Sequence, residues 1–322
     1  MMKKMILVAV LALAFSHSAF AELQNVTIDI QNGSNYMDVA KMKDFWDEIA
    51  KEHGLNTTLT VNVVGSPSVV ADRLIAAASQ AGAMSYPGLL KLNEKTDGDM
   101  KILFGDGIVN IMLNTNNPDI NSIEDFKPGH KIAVTSLGIS IQAIANRYVA
   151  DKYLGDWKKL DALTVAMPHP DAYAAFTAGK IDAHWATPPF SSMETGQTGV
   201  RTLATSDDLW GRHHLTVVVV SEKFCKDNPK VCDVMFETHQ KAVDWIKNQP
   251  LQAAEFFQKN IKAKETVDDY YKQLINKQVE FEIAPQGLEK FAAFVYKIGE
   301  IKNPLKSWKD VSMPQLYELN GN

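Results

Sequence analysis

The sequence predicts an α/β protein with two lobes, and three observations lead to this fold class. Over residues 25–220, apolar strand segments alternate with amphipathic helical segments, which is the pattern of sheets covered by helices on both faces. The length of 322 residues suits about two domains. The nearly all-apolar segment 215–220 comes late in the chain and is typical of a central parallel strand. We therefore expect the chain to leave the first lobe near 110–115 and to return near 215.

Each predicted element has a local signal in the sequence. Segment 38–53 has apolar residues at helical spacing and ends at Gly54, whereas segment 59–64 is rich in β-branched residues. The strands are predicted at 25–30, 59–64, 82–84, 101–104, 108–114, 131–134, 163–166, 181–185 and 215–220. The helices are predicted at 38–53, 69–79, from 85 onward, 139–153, 171–178, 229–248, 250–258, 265–276 and 285–300.

Composition excludes several classes of protein. The net charge of −5, the hydrophobic content of 46% and the charged content of 22% are ordinary for a globular protein, so disorder, collagen and a coiled coil fit poorly. No stretch is dense in lysine and arginine, and a nucleic-acid partner would need such a basic footprint. Two cysteines are too few for a four-cysteine zinc site.

The first 21 residues have the pattern of a secretory signal peptide. Lys3 and Lys4 precede the apolar run 5–15, and small residues at 18–21 predict cleavage after Ala21. The alternative, a membrane anchor, is disfavoured because the apolar run is far shorter than the ~20 residues that span a bilayer. No cysteine follows the cleavage site, so a lipid anchor is not expected. We predict a monomeric, periplasmic protein that is not anchored to the membrane.

The predicted export signal favours a disulfide between the two cysteines. Cys225 and Cys232 lie seven residues apart, and oxidising compartments favour disulfides. Asn228 and Pro229 between them are suited to end one turn and to begin a helix. That geometry can bring the two Cα atoms within bonding range, so we predict a Cys225–Cys232 disulfide. Two free thiols are the alternative.

The sequence contains none of the common catalytic motifs. It has no G-x-G-x-x-G, no phosphate-binding P-loop, no G-x-S-x-G nucleophile elbow and no H-E-x-x-H zinc helix. His213 and His214 are adjacent and would point to opposite faces of an extended segment, so a turn at the return between lobes is a better interpretation than a metal site. We therefore expect no enzyme activity, no cofactor and no metal.

Loops rich in small hydroxyl residues precede several predicted helices. Helix N-termini offer unpaired N–H groups, and together with hydroxyls they suit a small anion or carboxylate. The alternative for each loop is plain helix capping by serine or threonine. The main anchor is expected at 135–140, with Thr135 and Ser136 as hydroxyl donors and Gly138 allowing close approach. The candidate ligand-binding residues are Ser34, Tyr36, Ser66, Ser85, Tyr86, Asp106, Thr135, Ser136, Gly138, Ser140, His169 and Trp185.

Other side chains have more than one interpretation. Tyr36, Tyr86 and Trp185 are candidates for apolar walls, although Trp185 equally suits a core position. Asp106 suits either a partner for a ligand ammonium or a simple turn residue. His169 lies between two prolines in a stiff loop, where the two interpretations are ligand contact and simple exposure. The candidates for an anion clamp are Arg73, Arg147, Arg201 and Arg212, of which the first two are expected to be structural because they lie inside helices.

Four ordered segments carry a resemblance to a known family. They are HKIAVTSLGIS (130–140), FTAGKIDAHWATPPF (176–190), VVVVSEKFCKDNPKVC (217–232) and KAVDWIKNQPLQAAEFF (241–257). Together they resemble the nitrate/sulfonate/taurine family of periplasmic substrate-binding proteins of ABC transporters. Phe224 with Pro229 and Trp245 with Pro250 match its helix start and helix end. The chain departs from the family in two segments. Residues 129–131 read Gly-His-Lys, where the family usually has Gly-Lys, and residues 81–85 lack the acidic residue that is common there in the family.

The resemblance implies the type II fold of periplasmic binding proteins, with two α/β lobes and a two-segment hinge. The expected domains are a signal peptide at 1–21, a first lobe at 22–112 plus 213–322, and a second lobe at 113–212. It implies a non-catalytic protein that captures one small anionic or zwitterionic ligand, such as a sulfonate, taurine or nitrate, for a membrane permease with its ATPase. The alternatives are binding of a thiamine-pyrimidine precursor, a synthase-like enzyme of the same fold, or presentation of the closed form to a chemoreceptor.

Overall fold

A computed structural model describes residues 25–31, 36–138, 140–260 and 265–322. The predicted signal peptide and Ser34 lie outside the described residues, and of Tyr36 only the backbone is described. The strands are β1 (Asn25–Gln31), β2 (Thr58–Val64), β3 (Ala81–Met84), β4 (Met100–Gly105), β5 (Gly107–Val109), β6 (Met112–Thr115), β7 (Ile132–Val134), β8 (Thr164–Ala166), β9 (Ala183–Ala186), β10 (Arg201–Thr205), β11 (Val217–Ser221) and β12 (Val279–Phe281).

Helices cover the sheets and form most of the last third of the chain. They are α1 (Tyr36–Glu52), α2 (Pro67–Ile75), α3 (Tyr86–Lys95), α4 (Ile141–Leu154), α5 (His169–Thr177), α6 (Phe190–Thr195), α7 (Ser206–Trp210), α8 (Glu222–Asp227), α9 (Pro229–Asn248), α10 (Pro250–Asn260), α11 (Val267–Ile275) and α12 (Leu288–Lys297).

The first sheet has the strand order β2-β1-β3-β11-β4. Strands β1, β2 and β3 are parallel, whereas β11 runs antiparallel to both of its neighbours, β3 and β4. The prediction of a central strand near 215–220 is therefore confirmed in place, but its parallel direction was wrong. The chain re-enters this sheet from the second one, at the carboxyl edge of β1–β3, and so must run against them.

The second sheet has the strand order β10-β6-β9-β7-β8. Strands β9, β7 and β8 are mutually parallel, and β6 and β10 extend the sheet in antiparallel fashion. The single strand predicted at 108–114 was wrong, because the chain breaks at 110–111. Its first part, β5, pairs with β12 outside both main sheets, and its second part, β6, joins the second sheet. The lobe boundaries stay a prediction, although strands β6–β10 all lie between 112 and 205.

The segment between β4 and β5 forms a tightly packed crossing between the two sheets. The Gly105 amide donates to the Ile283 carbonyl over 2.6 Å, and the Asp106 amide donates to the Thr216 carbonyl over 3.2 Å. His214 Nε2 donates to the Glu282 carbonyl over 3.0 Å. Asp106 is 1% exposed, and its carboxylate accepts from the Thr216 hydroxyl over 3.0 Å. Asp106 thus braces the crossing, and the structure does not place it as a partner for a ligand ammonium.

Gly105→Ala should destabilise the protein because the crossing has no room for a methyl group. A Cβ at this position would lie 2.5 Å from the Glu282 carbonyl oxygen and 2.5 Å from His214 Nε2. Overpacking of this kind costs about 1–3 kcal/mol, and here one obstacle is backbone. Urea unfolding should show this loss, while Gly65→Ala, whose Cβ would meet nothing within 4 Å, serves as the matched control. Equal free energies of unfolding for the two variants would contradict this account.

The structure joins Cys225 in α8 to Cys232 in α9 by a disulfide, with 5.6 Å between the Cα atoms. Both residues are buried in the core between the first sheet and helices α1 and α9. We predict that thiol titration of the exported, denatured and unreduced protein finds no free thiol. Two thiols per chain would contradict the prediction, and titration after reduction provides the control.

Candidate functional site

The carboxyl ends of β7, β8 and β9 meet at one edge of the second sheet, because the three strands are parallel. Thr135 and Ser136 follow β7, His169 opens the helix after β8, and Thr187 follows β9. Ligands of open α/β sheets bind at such an edge. This edge, with the loop 135–138 and the start of α4, is the candidate site, and we call it the lobe-2 edge.

The loop at the lobe-2 edge is shaped by its own hydrogen bonds. Ser140 caps α4, because its hydroxyl accepts from the Ala143 amide over 3.2 Å and donates to the Ser136 carbonyl over 2.6 Å. Gly138 has a φ of +80°, a left-handed conformation that favours glycine. Its Cβ would meet only Lys91 Nζ, at 3.8 Å. The backbone conformation, rather than a close approach, therefore explains this glycine, and the Ser140 hydroxyl is already committed to capping.

Two hydroxyls at the lobe-2 edge are buried without a partner. Ser136 Oγ and Thr187 Oγ1 have no hydrogen bond among the described residues. An unpaired buried polar group costs about 1–3 kcal/mol, so such groups indicate something that the free chain does not supply. Ser136 was predicted to be a hydroxyl donor. Thr187, which follows β9 in the sequence Ala186-Thr187-Pro188, was not among the predicted site residues.

A continuous chain of side-chain hydrogen bonds leads from the lobe-2 edge into the interior of the second lobe. Thr135 donates to Gln142 Oε1 over 3.0 Å, and Gln142 Nε2 lies 3.3 Å from His169 Nε2. His169 Nδ1 lies 2.9 Å from His184 Nε2, and His184 Nδ1 lies 2.6 Å from Glu194 Oε1. We call this series the Thr135–Glu194 chain. Its members come from the loop after β7 and from α4, α5, β9 and α6.

His169 takes part in this chain and does not face the ligand edge with a free nitrogen. Its ring is 7% exposed and stacks on Phe190 at 5.8 Å between centroids. Burial, reinforced by the neighbouring His184, lowers the pKa of His169 to about 3, so its ring is neutral at physiological pH. Both ring nitrogens are occupied, by Gln142 and His184. Direct ligand contact was predicted for His169, and the structure gives it a supporting position instead.

The predicted aromatic walls lie in the core. The Tyr86 side chain is fully buried, its hydroxyl donates to the Gln286 carbonyl over 2.7 Å, and burial raises its pKa above the ordinary value. Trp185 is fully buried in β9, and its Nε1 donates to Asn146 Oδ1 over 3.2 Å. The structure therefore does not bring Tyr86 or Trp185 to the lobe-2 edge. Their apolar surface is used by the folded core.

The predicted serines of the first lobe open helices. Ser66 caps α2, with its hydroxyl accepting from the Val69 amide over 3.5 Å, which is the capping interpretation of this loop. Ser85 stands at the N-cap of α3 and is 6% exposed. It follows β3, which is parallel to β1 in the first sheet, so Ser85 lies at the corresponding carboxyl edge of that sheet.

The four arginines of the sequence are all engaged elsewhere. Arg73 pairs with buried Asp29 over 2.7 Å, and Arg201 donates to two backbone carbonyls. Arg212 pairs with Glu280 and Glu282 at the crossing. Arg147 pairs with Asp161 and with Glu300. An arginine clamp is therefore absent from the described residues, and an acidic ligand group would depend on hydroxyls and backbone N–H groups.

Lys91 connects the first lobe to the lobe-2 edge. It lies on α3, donates to the Gly138 carbonyl over 2.7 Å and pairs with Glu300. Glu300 in turn pairs with Arg147 on α4. Burial alone would raise the pKa of Glu300, but the hydrogen bond and charge of Lys91 and the charge of Arg147 outweigh it and hold that pKa below the usual range. The contact joins α3 to the loop after β7.

The described residues contain neither a metal-binding cluster nor a membrane-spanning helix. No group of three or more histidine, cysteine or acidic side chains in the described ranges has the geometry to hold a metal ion. No helix within those ranges is both long enough and apolar enough to cross a bilayer.

Comparison with known proteins gives a family and a fold. The model of the NMT1-like family matches residues 39–259. No curated protein matches the sequence. Among solved structures, the periplasmic nitrate-binding protein of Synechocystis PCC 6803 is 15% identical with a TM-score of 0.71, covering 92% of this chain and 88% of that one. The periplasmic aliphatic sulphonate-binding protein of Escherichia coli is 17% identical with a TM-score of 0.67, covering 91% and 99%.

A third similar structure is the zinc-bound ligand-binding component of an ABC-type import system from Staphylococcus aureus. It is 14% identical with a TM-score of 0.70, and the match covers 92% of this chain and 98% of that one. At these identities the likeness shows the fold alone. The chain thus has the two-lobe fold of type II periplasmic binding proteins, as the sequence predicted.

Proposed function

Because the chain belongs to the NMT1-like family, we propose that it is a non-catalytic solute-binding protein that delivers a small ligand to an ABC importer. It would act in the periplasm as a monomer, after removal of residues 1–21. The ligand would be held between the lobe-2 edge and the facing edge of the first sheet. The sulphonate- and nitrate-binding proteins among its structural neighbours support this class of function.

The two unpaired hydroxyls at the lobe-2 edge carry the proposal. Ser136 Oγ and Thr187 Oγ1 are buried, have no hydrogen-bond partner among the described residues, and follow the adjacent parallel strands β7 and β9. A sulfonate, carboxylate or nitrate oxygen would satisfy both, and the N-terminus of α4 adds positive potential. The ligand we propose is therefore a small anion or zwitterion of the sulfonate, taurine or nitrate kind.

Native mass spectrometry of the purified protein tests this function. We expect one small molecule per chain, released chemically unchanged on denaturation. Added taurine, ethanesulfonate or nitrate should raise the melting temperature if it is the ligand, since binding to the folded state alone stabilises by about 2.7 kcal/mol at a hundred times the Kd. Recovery of a converted molecule would favour a synthase-like enzyme. A recovered pyrimidine would favour the thiamine-precursor alternative.

A further inference from the structure

We propose that the Thr135–Glu194 chain fixes Thr135 as a hydrogen-bond acceptor at the lobe-2 edge. The site then selects ligands that carry an N–H or O–H donor beside the acidic group. The inference rests on the proposed function in one respect, namely that the ligand lies against the lobe-2 edge. It concerns the chemistry that the site accepts, and it assigns positioning roles to His169, His184 and Glu194.

The inner end of the chain lies at a buried carboxyl group. Glu194 is fully buried, and each of its two oxygens lies within hydrogen-bond distance of a side-chain nitrogen. Asn114 Nδ2 donates to Glu194 Oε2 over 3.0 Å, because the Asn114 carbonyl oxygen already accepts from the Thr202 hydroxyl over 2.8 Å. His184 Nδ1 then donates to Glu194 Oε1 over 2.6 Å. The remaining nitrogen of His184, Nε2, faces His169 Nδ1 over 2.9 Å.

The hydrogen bonds keep one direction from Glu194 outward to the lobe-2 edge. His169 is neutral and carries one proton, and its Nε2 faces the Gln142 amide nitrogen, which can only donate; the proton therefore lies on Nδ1 and is donated to His184 Nε2. His169 Nε2 is then bare and accepts from the amide nitrogen of Gln142. The Gln142 oxygen consequently faces Thr135 and takes its hydroxyl proton over 3.0 Å. Thr135 has no proton left to give, so its lone pairs are what it offers to a ligand.

This result changes the role predicted for Thr135. Its hydroxyl was expected to be a donor to an anion, and the hydrogen bond to Gln142 uses that donor. Ser136 and Thr187 keep theirs, since their hydroxyls have no partner among the described residues. The lobe-2 edge thus presents donors and an acceptor side by side. A molecule with an acidic group and a neighbouring amine or hydroxyl matches that pattern, whereas a plain anion leaves Thr135 without a partner.

The direction of the chain can be measured without any ligand. Long-range ¹H–¹⁵N NMR of ligand-free, ¹⁵N-labelled protein at about pH 7.5 distinguishes the two histidine tautomers. We expect neutral His169 with its proton on Nδ1, and a proton on Nδ1 of His184. If both rings carry the proton on Nε2, the chain runs in the opposite direction, Thr135 is a donor, and the proposal fails.

Selectivity provides the second test, with taurine and 1-propanesulfonate as probes. The two have similar shape, but a methyl group replaces the ammonium donor. Calorimetry should show wild type binding taurine at least tenfold more tightly. Thr135→Val should remove most of the preference for taurine over 1-propanesulfonate. Ser136→Ala should weaken the binding of both probes and preserve the ratio of their affinities. An unchanged ratio in Thr135→Val would overturn the proposal.

A substitution that interrupts the Thr135–Glu194 chain separates the positioning role of its members from direct contact with the ligand. Gln142→Met removes the acceptor for the Thr135 hydroxyl, which then becomes free to donate. Sulfoacetate offers an acceptor where taurine offers a donor. The affinity of this variant for sulfoacetate should therefore rise at least tenfold relative to its affinity for taurine. Thr195→Val is the control, because its hydroxyl bonds only the Ser191 and Ser192 carbonyls of its own helix. No gain in Gln142→Met would overturn the proposal.

Failure of the proposed function gives a different result. If wild type binds none of the three probes, the sulfonate ligand class is wrong. The histidine tautomers then still decide whether Thr135 is an acceptor.

Discussion

The free energy of unfolding is expected to fall steeply as the pH drops from about 6.5 to about 4, because three buried histidines remain neutral in the fold. Burial lowers the pKa of His213 to about 4 and that of His214 to about 3, and His169 has a pKa of about 3 with the added effect of His184. In the unfolded chain each would titrate near 6.5. Within this window the unfolded state therefore binds more protons than the folded state.

The sign and size follow from proton linkage. Stability rises with pH wherever the unfolded state binds more protons, so it is fully present above about pH 6.5 and is lost on acidification towards the folded pKa values. Each histidine contributes somewhat over 1 kcal/mol per pH unit, so the three together give about 4 kcal/mol per pH unit at the steepest part. A loss of this size would unfold a protein of ordinary stability near pH 5.

Urea unfolding between pH 7.5 and 5 measures this slope. His213→Asn provides the matched variant, since an asparagine amide can replace His213 Nδ1 as the donor to the Gly211 carbonyl, a bond of 2.7 Å. It removes one of the three titrating rings and should reduce the slope by about a third. Equal free energies of unfolding for wild type at pH 7.5 and pH 5 would contradict the buried, neutral state of these histidines.

Sequence periodicity was sufficient for most of the fold, whereas the place of the site stays a prediction. Apolar strands alternating with helices predict two covered sheets, and hydroxyl-rich loops before helices lead to the edge where Ser136 lies. The direction of β11 was not predictable from its composition, because an all-apolar strand is buried whichever way it runs. The interruption at 110–111 was missed for a similar reason, since residues 107–113 form one nearly continuous apolar run that only the strand partners divide.

The polar interior of the second lobe could not be read from spacing. His169, His184 and Glu194 belong to α5, β9 and α6, and they meet only after the sheet has assembled. Trp185 shows the related difficulty for apolar residues. Its neighbour in sequence, His184, enters the hydrogen-bond chain, while Trp185 points to the opposite side of β9 and packs in the core. Which face meets a helix and which meets polar partners depends on tertiary contacts.

Removing the unpaired hydroxyls at the lobe-2 edge should weaken ligand binding while leaving the free protein as stable as before, or more stable. Ser136→Ala and Thr187→Val each delete a buried donor that has no partner among the residues the structure describes, so the cost of its burial disappears. In the complex each would lose a hydrogen bond to a charged group, which contributes about 1.5–3 kcal/mol. That corresponds to roughly 10- to 150-fold in Kd.

These opposite effects on stability and affinity distinguish a binding hydroxyl from a structural one. Thermal melting of the ligand-free variants and calorimetry with the ligand identified by mass spectrometry measure the two quantities separately. Thr195→Val should behave in the reverse way, because its hydroxyl is hydrogen-bonded within α6 over 3.0 Å and does not face the edge: it should lose a little stability and keep its affinity. If Ser136→Ala and Thr187→Val both bind within about twofold of wild type, which is under 0.5 kcal/mol, the acidic group of the ligand is held elsewhere. A loss of affinity in both, with an unchanged melting temperature, would locate that group between β7 and β9.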